Sequence, residues 1–194
     1  MGLNPIKTQT AGGIPVFAQI FEVAQGGFTL DVTGLTTDDV INAGTPFAAD
    51  DVTRVAKLSK TAVVYETSGA TDVAYKVNKG HKLAVGEYLA GTVGGKAYAI
   101  TAIDTTNAAY DLVTVGTTLT TLTLGDVLFV SSATGATSAA VKNAPTGLLK
   151  NAVKVGAAEG VSLVTRGTVY ERRIPGLLTS MKTALPGINF NKSY

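Results

Sequence analysis

The chain has 194 residues, of which 45% are hydrophobic and 15% are charged, with a net charge of +2 and no cysteine. This length permits one large β domain or two small ones, and the lack of cysteine excludes disulfides and thiolate metal sites. Charged residues make up about a quarter of an ordinary soluble chain, so the low fraction here favours a surface that is partly covered by partners.

The charges are unevenly distributed along the chain. Residues 150–194 carry seven basic and two acidic side chains, whereas residues 1–149 carry nine basic and twelve acidic side chains. A basic segment can face an acidic protein, a nucleic acid or a membrane. Because the longest basic run is Arg172-Arg173, we expect a protein partner, with no nucleic acid and no membrane. A secretory signal is not evident either, so assembly in a cytoplasm is expected.

Residues 1–16 have no helical period and are interpreted as an extended N-terminal arm. Prolines favour extended backbone before them, and a solvated tail seldom carries so many apolar side chains. A disordered terminus is the alternative. The apolar and proline residues of the arm that we expect to contact a partner are Leu3, Pro5, Ile6, Ile14 and Pro15.

From Phe17 onward, short apolar and Thr-rich runs alternate with turn residues, which is typical of antiparallel strands. Residues 50–58 fit a helix or a strand equally well, and residues 36–39 fit one capped helical turn. The predicted fold is therefore all-β, an antiparallel sandwich or barrel of short strands. The predicted strands are 17–23, 28–32, 61–66, 73–77, 87–90, 96–101, 110–115, 118–124 and 127–130.

Two segments of the predicted β region repeat one pattern. Leu83–Ala90 and Leu122–Phe129 are each apolar, then Gly followed by an acid, then apolar again. Glycine adopts positive φ at low cost, and the neighbouring carboxylate can accept a local backbone hydrogen bond. Each segment is therefore predicted to make a tight bend between two strands.

The loop Ser131–Ala140 contains small residues and no apolar anchor, which predicts a mobile surface loop that tolerates insertions. A long strand is predicted over 160–174, with a bulge or bend at Gly167. Leu177, Met181 and Leu185 then fall on one face of a short helix, and an extended tail follows it.

The predicted organisation has three parts. Residues 1–16 form the arm, residues 17–175 form the β domain, and residues 176–194 form the short helix and the extended C-terminal tail. The β domain is either one unit or two sub-modules that divide near residues 60–74. The C-terminal residues that we expect to contact a partner are Arg172, Arg173, Lys182, Phe190, Lys192 and Tyr194.

The sequence offers no reaction chemistry. His81 is the only histidine, so neither a catalytic triad nor a histidine zinc site can be assembled, and it is interpreted as a solvated turn residue. Gly94-Gly95-Lys96 lacks the remaining residues of a phosphate-binding loop. We therefore expect no catalytic residue, no metal and no cofactor.

Two stretches near the C-terminus resemble the ends of head fiber proteins. These are Arg166–Pro175 and Ala184–Tyr194, and the similar proteins decorate the capsids of tailed phages, crAss-like phages among them, that infect Bacteroidales. The Asn4-Pro5-Ile6 start, the Ala43–Pro46 bend and the region Tyr75–Leu89 are similar to those proteins as well.

The resemblance implies a β-rich, non-enzymatic virion protein on the exterior of a phage head. Its implied partners are the major capsid protein and other copies of itself, most simply as a trimer, and its exposed loops are candidates for contact with a host-surface glycan. The alternative is a carbohydrate-binding or adhesion module of a phage tail or fiber.

Overall fold

The computed structural model describes residues 15–24, 27–156 and 160–192, and it confirms an all-β fold with a short C-terminal helix. The helix α1 is Thr179–Thr183, and a 3-10 turn covers Glu171–Arg173. The strands are β1 (Phe17–Val23), β2 (Phe28–Leu30), β3 (Val40–Ile41), β4 (Pro46–Asp50), β5 (Val55–Leu58), β6 (Thr61–Val63), β7 (Ala74–Asn78), β8 (Tyr88–Ala90), β9 (Ala97–Asp104), β10 (Tyr110–Val115), β11 (Val127–Ser131), β12 (Gly147–Leu149), β13 (Val153–Lys154), β14 (Gly160–Val161), β15 (Leu163–Tyr170) and β16 (Ile188–Asn191).

The middle of the chain forms a six-stranded antiparallel barrel with the strand order β6-β11-β8-β9-β10-β7. A bridge between Val64 and Val77 closes it by joining the first strand to the last. Alternate residues of each strand point inward and form a separate hydrophobic core. In that core the Tyr75 hydroxyl donates to the Asp72 carbonyl at 2.7 Å and accepts the Leu119 N–H at 2.8 Å.

Residues before and after the barrel form an eight-stranded sheet with a second core. Its order is β1-β15-β12-β4-β5-β2-β14, and β16 also pairs with β15. Two pairs, β2 with β5 and β15 with β16, are parallel. The chain passes from this sheet to the barrel between Leu58 and Thr61, while the division into sub-modules near residues 60–74 stays a prediction.

The two predicted bends have the same local geometry. Gly86 and Gly125 both have φ of +91°. In the first bend a Glu87 carboxylate oxygen accepts the Ala84 N–H at 2.9 Å. In the second bend an Asp126 carboxylate oxygen accepts the backbone N–H three residues before it at 2.7 Å. The strands that follow the bends, β8 and β11, pair with each other in the barrel.

Several local predictions were wrong. Residues 118–124 form no strand, because Leu119 and Leu122 instead turn into the barrel core. Residues 36–39 form turns with Asp38 at φ +71°, rather than a helical turn. The predicted 160–174 strand is divided into β14, β15 and the 3-10 turn. The bulge predicted at Gly167 is confirmed, because the pairing with β1 shifts register on both sides of it.

The segment 131–140 is also not the unanchored loop that was predicted. Ala139 is 2% exposed and belongs to the hydrophobic cluster around Met181. Gly135 and Ala97 exchange two backbone hydrogen bonds of 2.9 Å, and Ala139 bonds to Gly94 and Gly95. The small side chains allow this close backbone packing, so the segment is part of the barrel wall.

Candidate functional site

The two ends of the described chain meet at one end of β15. β1 runs antiparallel to β15 and pairs Phe17 with Val169, so the N-terminal end of β1 lies beside the C-terminal end of β15. β16 runs parallel to β15 and pairs Asn191 with Tyr170. The chain therefore enters β1 and leaves β16 at the same place, which we call the terminal junction.

The terminal junction consists of exposed and mostly basic residues. Arg172 and Arg173 lie in the 3-10 turn directly after β15, and both are exposed. Pro15 precedes β1 and Lys192 follows β16, and both are exposed too. Four of the predicted contact residues, distant in sequence, thus meet here because β15 pairs with strands from both ends of the chain.

Two other predicted contact residues are partly used by the protein's own packing. The Lys182 ammonium pairs with the Glu171 carboxylate and lies 5.8 Å from the centre of the Phe190 ring. Phe190 is half-buried and packs against the two hydrophobic clusters that include Leu177 and Ile188. The C-terminal tail therefore docks on its own sheet through β16. The predicted contacts Leu3, Pro5, Ile6, Ile14 and Tyr194 lie outside the described residues.

β1 adds an apolar edge next to the terminal junction. It is the outer strand of the eight-stranded sheet, with Ile20 40% exposed and Phe21 66% exposed. A Cβ atom on Gly167 would lie 2.6 Å from the Gln19 carbonyl oxygen, so glycine is needed for β1 to approach β15. An edge strand with exposed apolar side chains is a surface on which another chain can pair. Sequence periodicity did not reveal this edge.

His81 is not the solvated turn residue that was predicted. Its side chain is 6% exposed, and Nε2 lies 3.3 Å from an Asp111 carboxylate oxygen that is itself buried. Nδ1 accepts the Leu83 N–H at 3.2 Å. Burial lowers the pKa of His81; the Asp111 carboxylate opposes that shift, and the Lys82 and Lys79 ammonium groups add to it.

We predict that His81 makes the folded protein sensitive to mild acid. Its pKa is below the ordinary value of 6.5, so the unfolded chain binds more protons and the free energy of unfolding falls as the pH decreases below about 6.5. His81→Asn keeps an acceptor for the Leu83 N–H and removes the titration. Urea unfolding of both proteins between about pH 5 and pH 7 tests this.

The contribution of His81 is separable from that of the carboxylates. Hydrogen bonds to Thr33, Val52 and Thr106 lower the pKa of Asp31, Asp50 and Asp104 below 3.8, so these groups act only in stronger acid. If the free energy of unfolding of His81→Asn falls with decreasing pH as steeply as that of the wild type, a group other than His81 titrates in this range.

The described residues contain no cluster of three or more histidine and acidic side chains that could hold a metal ion. No helix in the described part of the chain is long and apolar enough to cross a bilayer. Comparisons with family models, curated proteins and solved structures found no match for the chain.

Proposed function

We propose that the chain is a structural virion protein that binds the outside of a phage capsid through the terminal junction. The observation that carries the proposal is the convergence of the two terminal segments beside exposed Arg172 and Arg173. The resemblance of the C-terminal stretches to head fiber proteins supports the same assignment. In this proposal the barrel and the eight-stranded sheet are the part of the protein that the terminal segments hold on the capsid.

The proposed binding has an electrostatic and an apolar part. The basic side chains of the terminal junction attract an acidic surface of the major capsid protein, and salt weakens that attraction because the Debye length is about 8–10 Å at physiological ionic strength. Extended arms cover a large surface with few residues, although they lose conformational entropy on binding. Prolines such as Pro15 reduce that loss because their φ is fixed.

Self-association is the second part of the proposal, with a trimer as the expected state. The β1 edge, with Ile20 and Phe21, supplies an apolar surface that another copy can cover. Light scattering on the purified protein measures the mass directly. A 19.8 kDa monomer at high concentration would contradict self-association in solution.

We predict that deleting residues 2–14 leaves a folded protein that no longer binds capsids. The deletion removes all of the proposed arm except Met1, Pro15 and Val16, and it leaves every described strand in place. Thermal melting checks the fold, and cosedimentation with capsids that lack this protein measures binding. Full occupancy by the truncated protein would show that the arm is not the anchor.

Charge reversal at the terminal junction provides a matched comparison. Arg172→Glu should weaken capsid binding and reduce its salt dependence, because a rim charge acts mainly through long-range attraction. Arg166→Glu is the control, since Arg166 is also exposed but lies within β15, opposite Glu22. Equal binding by the two variants would contradict a role for the terminal junction.

A further inference from the structure

A cleft of about 320 Å³ lies between the barrel and the eight-stranded sheet. Its walls come from the crossover at 58–63, the turn at 78–82, β3, and the segment 173–176 that leads toward α1. Pockets of this size commonly hold small molecules, and they form where two structural units meet. The position and the volume thus suit a small ligand.

The side chains of the cleft give it a positive lining. Four cationic residues line it, and no carboxylate of the described residues does. Three of these cations also pair with carboxylates that are not among the lining residues: Glu87 at 2.7 Å, Asp111 at 2.6 Å and Asp39 at 3.0 Å. The cationic residues are Lys60, Lys79, Lys82 and Arg173.

Two buried polar atoms of the lining residues lack hydrogen-bond partners. Ser59 is 2% exposed, and its hydroxyl has no partner. His81 Nε2 makes no hydrogen bond either, although Asp111 lies 3.3 Å away. Most buried side-chain polar atoms in proteins are paired, so these two lining residues retain hydrogen-bonding capacity that the described part of the chain does not use.

We propose that this cleft binds a small hydroxylated oxyanion, of the class of carboxylated, sulfated or phosphorylated monosaccharides. The lysine and arginine side chains match the oxyanion, because such groups form strong charge-assisted hydrogen bonds. Ser59, Thr45 and Thr61 carry the hydroxyl groups of the lining that match a polyol. The described lining residues include no phenylalanine, tyrosine or tryptophan, so the charge, rather than stacking on such a ring, selects the ligand.

The only histidine of the chain reports on this cleft directly. The ring protons of His81 give one isolated set of NMR resonances, which can be followed while the full-length protein is titrated with glucuronate, glucose 6-phosphate, inorganic phosphate, sulfate and neutral glucose. We expect a saturable shift with at least one anionic sugar and none with glucose. The titration needs no capsid, so its failure and a failure of capsid binding are distinguishable.

Two lysine variants locate the site. Lys82→Gln removes a cation of the cleft and should weaken binding about tenfold, the typical worth of one charge-assisted hydrogen bond. Lys154→Gln is the matched control, because Lys154 pairs with Asp38 at 2.7 Å and does not line the cleft. It should bind like the wild type. If Lys82→Gln fails to fold, Ser59→Ala takes its place and should also weaken binding.

Three results would overturn the proposal. The first is no saturable shift of the His81 resonances with any anion. The second is equal affinity in the wild type and the cleft variant. The third is binding of sulfate and phosphate as tight as that of the anionic sugars, because the hydroxyl groups would then contribute nothing.

Discussion

Replacing Glu87 by alanine is expected to lower the free energy of unfolding by about 3–5 kcal/mol, because it leaves a buried ammonium group without its partner. Lys60 Nζ lies 2.7 Å from a Glu87 carboxylate oxygen, with side chains 7% and 15% exposed. The same ammonium donates to the Gly34 carbonyl at 2.8 Å. Lys60 lies in the crossover between the eight-stranded sheet and the barrel, so the loss of its carboxylate partner destabilises both parts of the fold. Chemical denaturation measures it.

An exposed ion pair of similar length is the control for Glu87→Ala. Lys76 and Glu66 lie 2.8 Å apart, with side chains 33% and 58% exposed, so Glu66→Ala should cost about 0–1 kcal/mol. Replacing Lys60 and Glu87 together by methionine should cost less than Glu87→Ala, because no buried charge is left unpaired. If Glu87→Ala lowers the free energy of unfolding no more than Glu66→Ala does, then burial does not make the Lys60–Glu87 pair more important for stability than an exposed pair.

The sequence predicted the features that depend on local chemistry. The bends at Gly86 and Gly125 were predictable because glycine and the following acid determine the turn within four residues. The apolar face of the C-terminal helix was predicted as well, although the helix is only Thr179–Thr183. Leu177 and Leu185 are buried just outside the helix. The apolar face therefore continues past the residues that have helical hydrogen bonds.

The features that depend on distant residues were not predictable. His81 is buried beside Asp111, which lies on β10 and is distant in sequence, and the polar residues around His81 in sequence gave no sign of it. The parallel pairing of β16 with β15 and the closure of the barrel through Val64 and Val77 are also long-range contacts. Residue types identified the basic C-terminal segment, but only the strand order shows that Arg172 lies near Pro15.

Inserting a short flexible peptide after Ala139 is expected to lower the melting temperature substantially, contrary to the prediction from composition. Ala139 N–H donates to Gly95 O at 3.1 Å, its carbonyl accepts the Gly94 N–H at 2.7 Å, and the next N–H donates to the Ser131 hydroxyl at 3.1 Å. An insertion here shifts the register of these bonds and displaces the buried Ala139 methyl group from its cluster. Losing three bonds costs about 3 kcal/mol, which corresponds to about 6–12 °C in a chain of this size.

The connection between β9 and β10 is the matched site for the same insertion. Residues 105–109 are all exposed, and Asn107 makes one local bond, its side-chain oxygen accepting the Ala109 N–H at 2.9 Å. An insertion after Asn107 should therefore change the melting temperature by no more than about 2–4 °C, the effect of one such bond. Equal melting temperatures for the two insertions would show that the 131–140 segment is not part of the barrel wall. A large difference would make the β9–β10 connection the preferred place for an epitope tag, because there the insertion leaves the strand register intact.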